Sequence, residues 1–170
     1  MILLTPKSKP EVIGFAGTRR AFPGTWAKEV PIMPTSKEFT IRMEDRPGTL
    51  GKACRALADR GVNILAFQSF PTGAESLVRF VVDNPTTAKT VLTTQGLTYT
   101  EDEVVQIKLP HRPGELARAA SRLGEANINI NYAYCGVEPR TNAPLLIFGV
   151  ADVGKAATIL DQAAAAAAGT

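Results

Sequence analysis

The chain repeats itself. At an offset of 66 residues, Arg46, Pro47, Gly48, Leu50, Ala53, Leu57, Asn63 and Ile64 recur without a gap as Arg112, Pro113, Gly114, Leu116, Ala119, Leu123, Asn129 and Ile130. The same offset pairs Phe39, Ile41 and Met43 with Val105, Ile107 and Leu109, so the apolar alternation ahead of each Arg-Pro-Gly is repeated as well. Self-similarity at a fixed period marks one structural unit used twice, and any fold assigned to one copy has to suit the other.

Each copy reads in the same order. Phe39, Ile41 and Met43 alternate with Thr40, Arg42 and Glu44, the period expected of a strand with one buried face. Pro47 is expected in the first helical turn, where its missing N–H costs nothing, and Leu50, Ala53, Cys54 and Leu57 then recur along one helical face. Leu116, Ala119, Ala120 and Leu123 repeat that stripe. Gly61 and Asn127 are equivalent positions after the helices, and both residue types readily take the left-handed conformation that ends a helix. Residues 62–70 read as a strand, 71–74 as a turn and 77–82 as its hairpin partner. Asn84 and Pro85 look like the cap and first residue of a helix stopping at Gly96, and residues 97–100 read as a short fourth strand. The predicted class is α+β in the order β-α-β-β-α-β, with two helices on one face of an antiparallel sheet.

The second copy has a hairpin longer by about two residues, between Tyr134 and Pro144, and ends in an alanine-rich helix without a fourth strand. Such a sheet exposes an edge that needs cover. Residues 1–36 carry five prolines and no clear period. The expected organisation is therefore a Pro-rich basic extension over 1–36, a first unit over 37–102 and a second over 103–170. A short apolar piece of the extension, residues 2–4 or 12–15, is the expected source of the missing strand, an extraneous extension being the alternative. Trp26 either anchors this tail or meets a partner.

Charge argues against nucleic acid. The net charge of +3 lies entirely in residues 1–36, while residues 37–170 balance 14 basic against 14 acidic side chains. A neutral folded part lacks the positive field that phosphate backbones need. Cys54 and Cys135 are too few for a disulfide scaffold and stand in no metal-ligand spacing, so neither metal nor cofactor is expected. With no apolar run approaching the ~20 residues of a membrane span, a cytoplasmic protein is the expectation. His111 is the only histidine, which leaves no pairing for nucleophilic catalysis unless Cys54 abandons its helix stripe. Glu101, Asp102 and Glu103 are read as a solvated joint between the copies rather than a cation site.

The two Arg-Pro-Gly turns each lead a strand into a helix N-terminus, where free N–H groups and the helix dipole favour a carboxylate or phosphate. Gly48 and Gly114 let a ligand approach the backbone. Asn63 and Asn129 open the next strand with an amide that offers both a donor and an acceptor to a zwitterion. The same residues also suit a purely structural turn. The copies differ where selectivity would be set: Asp45 is matched by His111, Leu65 by Asn131 and Gln68 by Tyr134. Asn127, Asn129 and Asn131 share a period of two and are expected on one strand face, a binding surface or a solvated one.

The run Asp45-Arg46-Pro47-Gly48-x-Leu50, a helix, then Gly61-Val62-Asn63-Ile64 resembles the ACT-domain family. His111-Arg112-Pro113-Gly114-x-Leu116, followed by Asn127-Ile128-Asn129-Ile130, resembles it equally, and together the resemblance covers residues 38–162. It implies two tandem ferredoxin-like βαββαβ units, the second lacking its own last strand, that bind an amino acid or related metabolite between paired domains. The implied site residues are Asp45, Arg46, Pro47, Gly48, Thr49, Leu50, Asn63 and Ile64, with His111, Arg112, Pro113, Gly114, Glu115, Leu116, Asn129 and Ile130. The expected protein is a non-catalytic, stand-alone sensor, a homo-oligomer with a dimer favoured. The alternatives are an oligomerisation module without ligand, or a hydrolase resembling acylphosphatase.

Overall fold

The structure, a computed structural model, describes residues 35–168. Its elements run β1 (Thr35–Glu44), α1 (Thr49–Ala58), β2 (Ile64–Thr72), β3 (Glu75–Val82), α2 (Pro85–Thr94), β4 (Tyr99–Lys108), α3 (Glu115–Glu125), β5 (Ile130–Val137), β6 (Pro144–Val150) and α4 (Val153–Ala168). The order fits the repeated β-α-β-β-α-β reading, with the second repeat ending on a helix. Among the described residues no helix is long and apolar enough to cross a membrane.

The local signals act as expected at most helix ends. The Asn84 side chain accepts from the Thr87 amide at 3.0 Å with Pro85 beside it. Gly61 and Asn127 take φ of 69° and 57°, and each lets the following amide reach back over the last helical turn, Val62 to Leu57 and Ile128 to Leu123. Pro47 is the exception. α1 starts at Thr49 behind Gly48, whose φ of 88° is outside the helical region, so the proline precedes the cap instead of lying in the first turn. Gly114, at 91°, does the same to Pro113.

The strands do not form two separate sheets. They close into a six-stranded barrel, β1-β3-β2-β5-β6-β4 and back to β1. The expected short fourth strand and the first strand of the second copy are one continuous strand, β4, which pairs with β1 over residues 99–105 and with β6 over 105–108. Lys37 lies opposite Glu103, and the 66-residue offset carries position 37 onto 103, so the pseudo-twofold axis relating the repeats passes through this pair. The open edge expected in the second repeat is covered by residues 35–37 of β1, opposite 105–103. The proposed strand segments at residues 2–4 and 12–15, and Trp26, lie outside the described residues.

Three apolar clusters follow from this closure. Phe39, Ile41, Leu57, Phe80 and Leu92 pack under α1 and α2, and Val105, Leu123, Phe148 and Leu160 pack under α3 and α4. The third, Ala66, Val81, Val104, Leu145 and Ile147, fills the barrel from both repeats. β1, β3, β4 and β6 thus bury both faces along part of their length, whereas β2 buries only Ala66 and β5 alternates half-buried with exposed residues.

Candidate functional site

The two turns share a backbone but differ in their side chains. No side chain caps α1 or α3, although the Thr49 amide at the start of α1 donates to the Arg46 carbonyl at 3.2 Å. In the first turn, Asp45 accepts from Ser76 Oγ at 2.9 Å, Thr49 Oγ1 donates to the Arg46 carbonyl at 3.0 Å, and Arg46 is exposed beside Glu44. In the second, Glu115 is only 4% exposed. Arg112 Nε donates to its carboxylate and Arg118 lies 3.6 Å away, and the Arg112 bond holds the Glu115 carboxyl below the usual range. Arg112 is therefore engaged by the chain's own carboxylate. The spacing Arg112, Glu115, Arg118, each three residues apart on a helical start, is the sequence signal for that pairing. Leu50 joins the first core while Leu116 is exposed, and His111 is exposed in its turn.

The strand openings differ as well. The Asn63 amide donates to Asp83 Oδ1 at 2.9 Å and its carbonyl accepts from the Asp83 amide, so the side-chain amide has no bond among the described residues. In the second repeat Asn129 Nδ2 donates to Asn131 Oδ1 at 3.1 Å. The expectation of three asparagines on one strand face is corrected: β5 begins at Ile130, Asn129 precedes it and Asn127 belongs to the left-handed turn.

Strand direction decides which of these residues meet. Both β1 and β2 are antiparallel to β3 and hence parallel to each other, which puts the Arg-Pro-Gly turn and Asn63 at opposite ends of one repeat. β2 and β5 are antiparallel, so the start of β2, with Asn63 and Ile64, lies beside the end of β5. That is the end of the second repeat where residues 111–116 follow β4, tied to the β5–β6 hairpin by Leu109 N to Pro144 O at 3.2 Å and Lys108 to Glu138 at 3.4 Å. Asn63 and Ile64 thus share an end of the molecule with the second turn, and Asn129 and Ile130 with the first.

A cavity of about 350 Å³ opens at this seam, with residues 63–67 on one wall and 135–137 and Pro139 on the other. The seam itself is narrow in pairing, with Ala66 opposite Gly136 as its one registered pair. A Cβ on Gly136 would stand 1.9 Å from the Leu65 carbonyl oxygen, so only glycine permits this approach.

Inside the barrel the repeats also exchange polar groups. Glu38 is fully buried, and its carboxylate accepts from Tyr132 at 2.5 Å and Tyr134 at 2.6 Å. Arg79 lies 4.0 Å from the same carboxylate with its guanidinium 3.9 Å over the Tyr132 ring. Burial first, then the bonds to Glu38, push both phenols well above their ordinary value. The Tyr132 ring lies against Gly149, where a Cβ would come within 2.2 Å. Cys54 is half-buried on its helix, and desolvation raises its thiol, as a core residue's should be.

Residues 38–94, covering the first repeat's strands and helices up to the end of α2, match the ACT domain family. Those residues carry the signature of an ACT domain. Solved structures extend the likeness over both repeats. Protein BT0572 of Bacteroides thetaiotaomicron is 22% identical with a TM-score of 0.68, over 76% of this chain and 89% of that one. The ligand-free regulatory subunit of aspartate kinase from Thermus thermophilus is 19% identical with a TM-score of 0.56, over 78% and 93%. The corresponding subunit from Thermus flavus gives 19% and 0.52 over the same shares. At these identities the likeness concerns the fold alone. No curated protein matches the sequence.

Proposed function

We propose that this protein is a non-catalytic sensor of an amino acid or related metabolite, bound where its two ACT-type units, 37–102 and 103–170, meet. The observation that carries the reading is the seam cavity, which draws its walls from both repeats and includes Asn63, whose side-chain amide has no bond among the described residues. A molecule held there contacts β2 and β5 at once and biases how the units are joined, which is what a sensor requires of its ligand. The Asn63 side-chain amide and the main-chain groups of the seam suit the carboxylate and ammonium of such a ligand.

The ligand-dependent change is read by another chain or by an altered oligomer, in a cytoplasmic setting. Phe67, Phe70, Leu116 and Val137 are large apolar residues left exposed, which supports contact with a second copy and a homodimer. The same exposure favours the second reading, an oligomerisation module with no ligand. A thermal-shift screen of the amino acids separates the two. A ligand at ~100 times its dissociation constant adds about 2.7 kcal/mol if it binds only the folded state. The sensor reading expects at least one such shift, reduced by Asn63→Ala; no shift from any amino acid leaves the oligomerisation module.

A further inference from the structure

We infer that the seam ligand is an amino acid with an uncharged, apolar side chain, and that each chain binds one such molecule although it holds two repeats. The inference rests on the sensor reading of the seam cavity. Its first ground is the chemistry of the walls. Ile64, Leu65, Phe67 and Val137 are apolar, and no residue lining the cavity carries a charge. Such walls offer a charged ligand side chain no counter-ion, while they cover the apolar surface of an uncharged one. The volume of about 350 Å³ lies near the small end of small-molecule sites, with room for one amino acid.

The ligand's own two charges have partners of a different kind. β2 and β5 register at a single pair, Ala66 opposite Gly136, so the facing main-chain edges beyond it carry no further registered pair. Those edges, with the Asn63 amide, provide the donors and acceptors that an α-carboxylate and α-ammonium need, independent of what the side chain is.

The second ground is the asymmetry of the seam. The pseudo-twofold equivalent of Ala66 is Tyr132, whose ring occupies the space over Gly149 and whose hydroxyl is committed to Glu38. The equivalent of Asn63 is Asn129, tied to Asn131, where the first repeat has Leu65. The equivalent positions therefore carry a large ring in place of the Ala66 methyl and a bonded amide in place of a free one, so the two ends of the seam are not equivalent.

The test is calorimetric titration of the full chain with leucine, isoleucine, valine, methionine and phenylalanine, against aspartate, glutamate, lysine and arginine. The expected result is binding of at least one apolar amino acid at one per chain, weakened tenfold or more by Asn63→Ala and by Val137→Asp, which sets a carboxylate in the cavity. Val137 is 52% exposed, and Phe67→Ala on the opposite wall, at 54%, is the companion variant; thermal melting of each without ligand reports its folding. Binding of a charged amino acid alone, sensitive to Asn63→Ala, overturns the ligand class and keeps the sensor. Two molecules per chain overturn the single-site inference. Apolar binding indifferent to all three variants moves the site elsewhere, and no binding from either group removes the sensor reading with it.

Discussion

Tyr134, in the second repeat, donates its hydroxyl to Glu38, in the first, across 96 residues of sequence at 2.6 Å. Tyr132 donates to the other carboxylate oxygen, so one buried acid of the first repeat is satisfied by two phenols of the second. The pseudo-twofold equivalent of Glu38 is Val104, so the arrangement is not repeated and each repeat depends on the other for it.

Removing one phenol leaves a buried carboxylate oxygen short of a donor. Tyr134→Phe is expected to lower unfolding free energy by about 1.5–3 kcal/mol, the usual worth of a hydrogen bond to a charged group. Urea denaturation of Tyr134→Phe, Glu38→Gln and the double variant measures it. The coupling energy expected for residues in contact is ~0.5–3 kcal/mol, and additivity would mean that the bond contributes nothing.

The same pair sets an alkaline limit. Tyr132 and Tyr134 hold their protons more tightly folded than unfolded, so above the ordinary phenol value of 10.0 the unfolded state binds fewer protons than the folded one. Stability contributed by these groups is complete below pH 10.0 and is lost as pH rises toward their folded values. Melting temperature against pH is expected to fall more steeply above that point in the wild type than in Tyr132→Phe/Tyr134→Phe. Parallel curves would contradict it.

At the acid end the sign reverses. Glu115 is held below its ordinary 4.5, chiefly by Arg112, so its contribution is present above that value and is lost as pH falls through the folded one. Glu115→Gln is expected to flatten the acid limb of the stability profile, read by circular dichroism, while leaving the neutral fold in place.

Gly136 permits the barrel to close. Gly136→Ala sets a Cβ against the Leu65 carbonyl, a main-chain atom that cannot rotate away, and overpacking of this kind costs about 1–3 kcal/mol. Gly51→Ala is the contrast: in α1 the added Cβ meets nothing within 4 Å, and a gain of about 0.4–1 kcal/mol is expected. Chemical denaturation of both variants checks the pair.

The sequence was most informative where structure is local. The alternation around Phe39, the stripe from Leu50 to Leu57, the cap at Asn84 and the left-handed ends at Gly61 and Asn127 are each decided by neighbours in the chain. Closure is not. Ala66 meets Gly136 only because two sheets curl together, and a glycine in a strand carries no sign of its distant partner. Glu38 lies opposite Phe39 on its strand, a face that reads as solvated in one isolated repeat and is buried only by the second. The acidic run 101–103 interrupts the apolar pattern and reads as a joint; in the fold Glu101 is paired by Lys89 and Lys37, and β4 runs through it unbroken. For the candidate site, the residue types at the turns and at Asn63 were legible, but strand direction was needed to see that the turn of one repeat shares an end of the molecule with the asparagine of the other.

Amide hydrogen exchange of the full chain, with and without a millimolar mixture of the amino acids, tests the central claim most directly. Ligand binding at the seam predicts slower exchange concentrated in residues 63–67 and 135–137, and loss of that protection in Asn63→Ala. Protection confined to other parts of the chain, or identical exchange with and without the mixture, would contradict it.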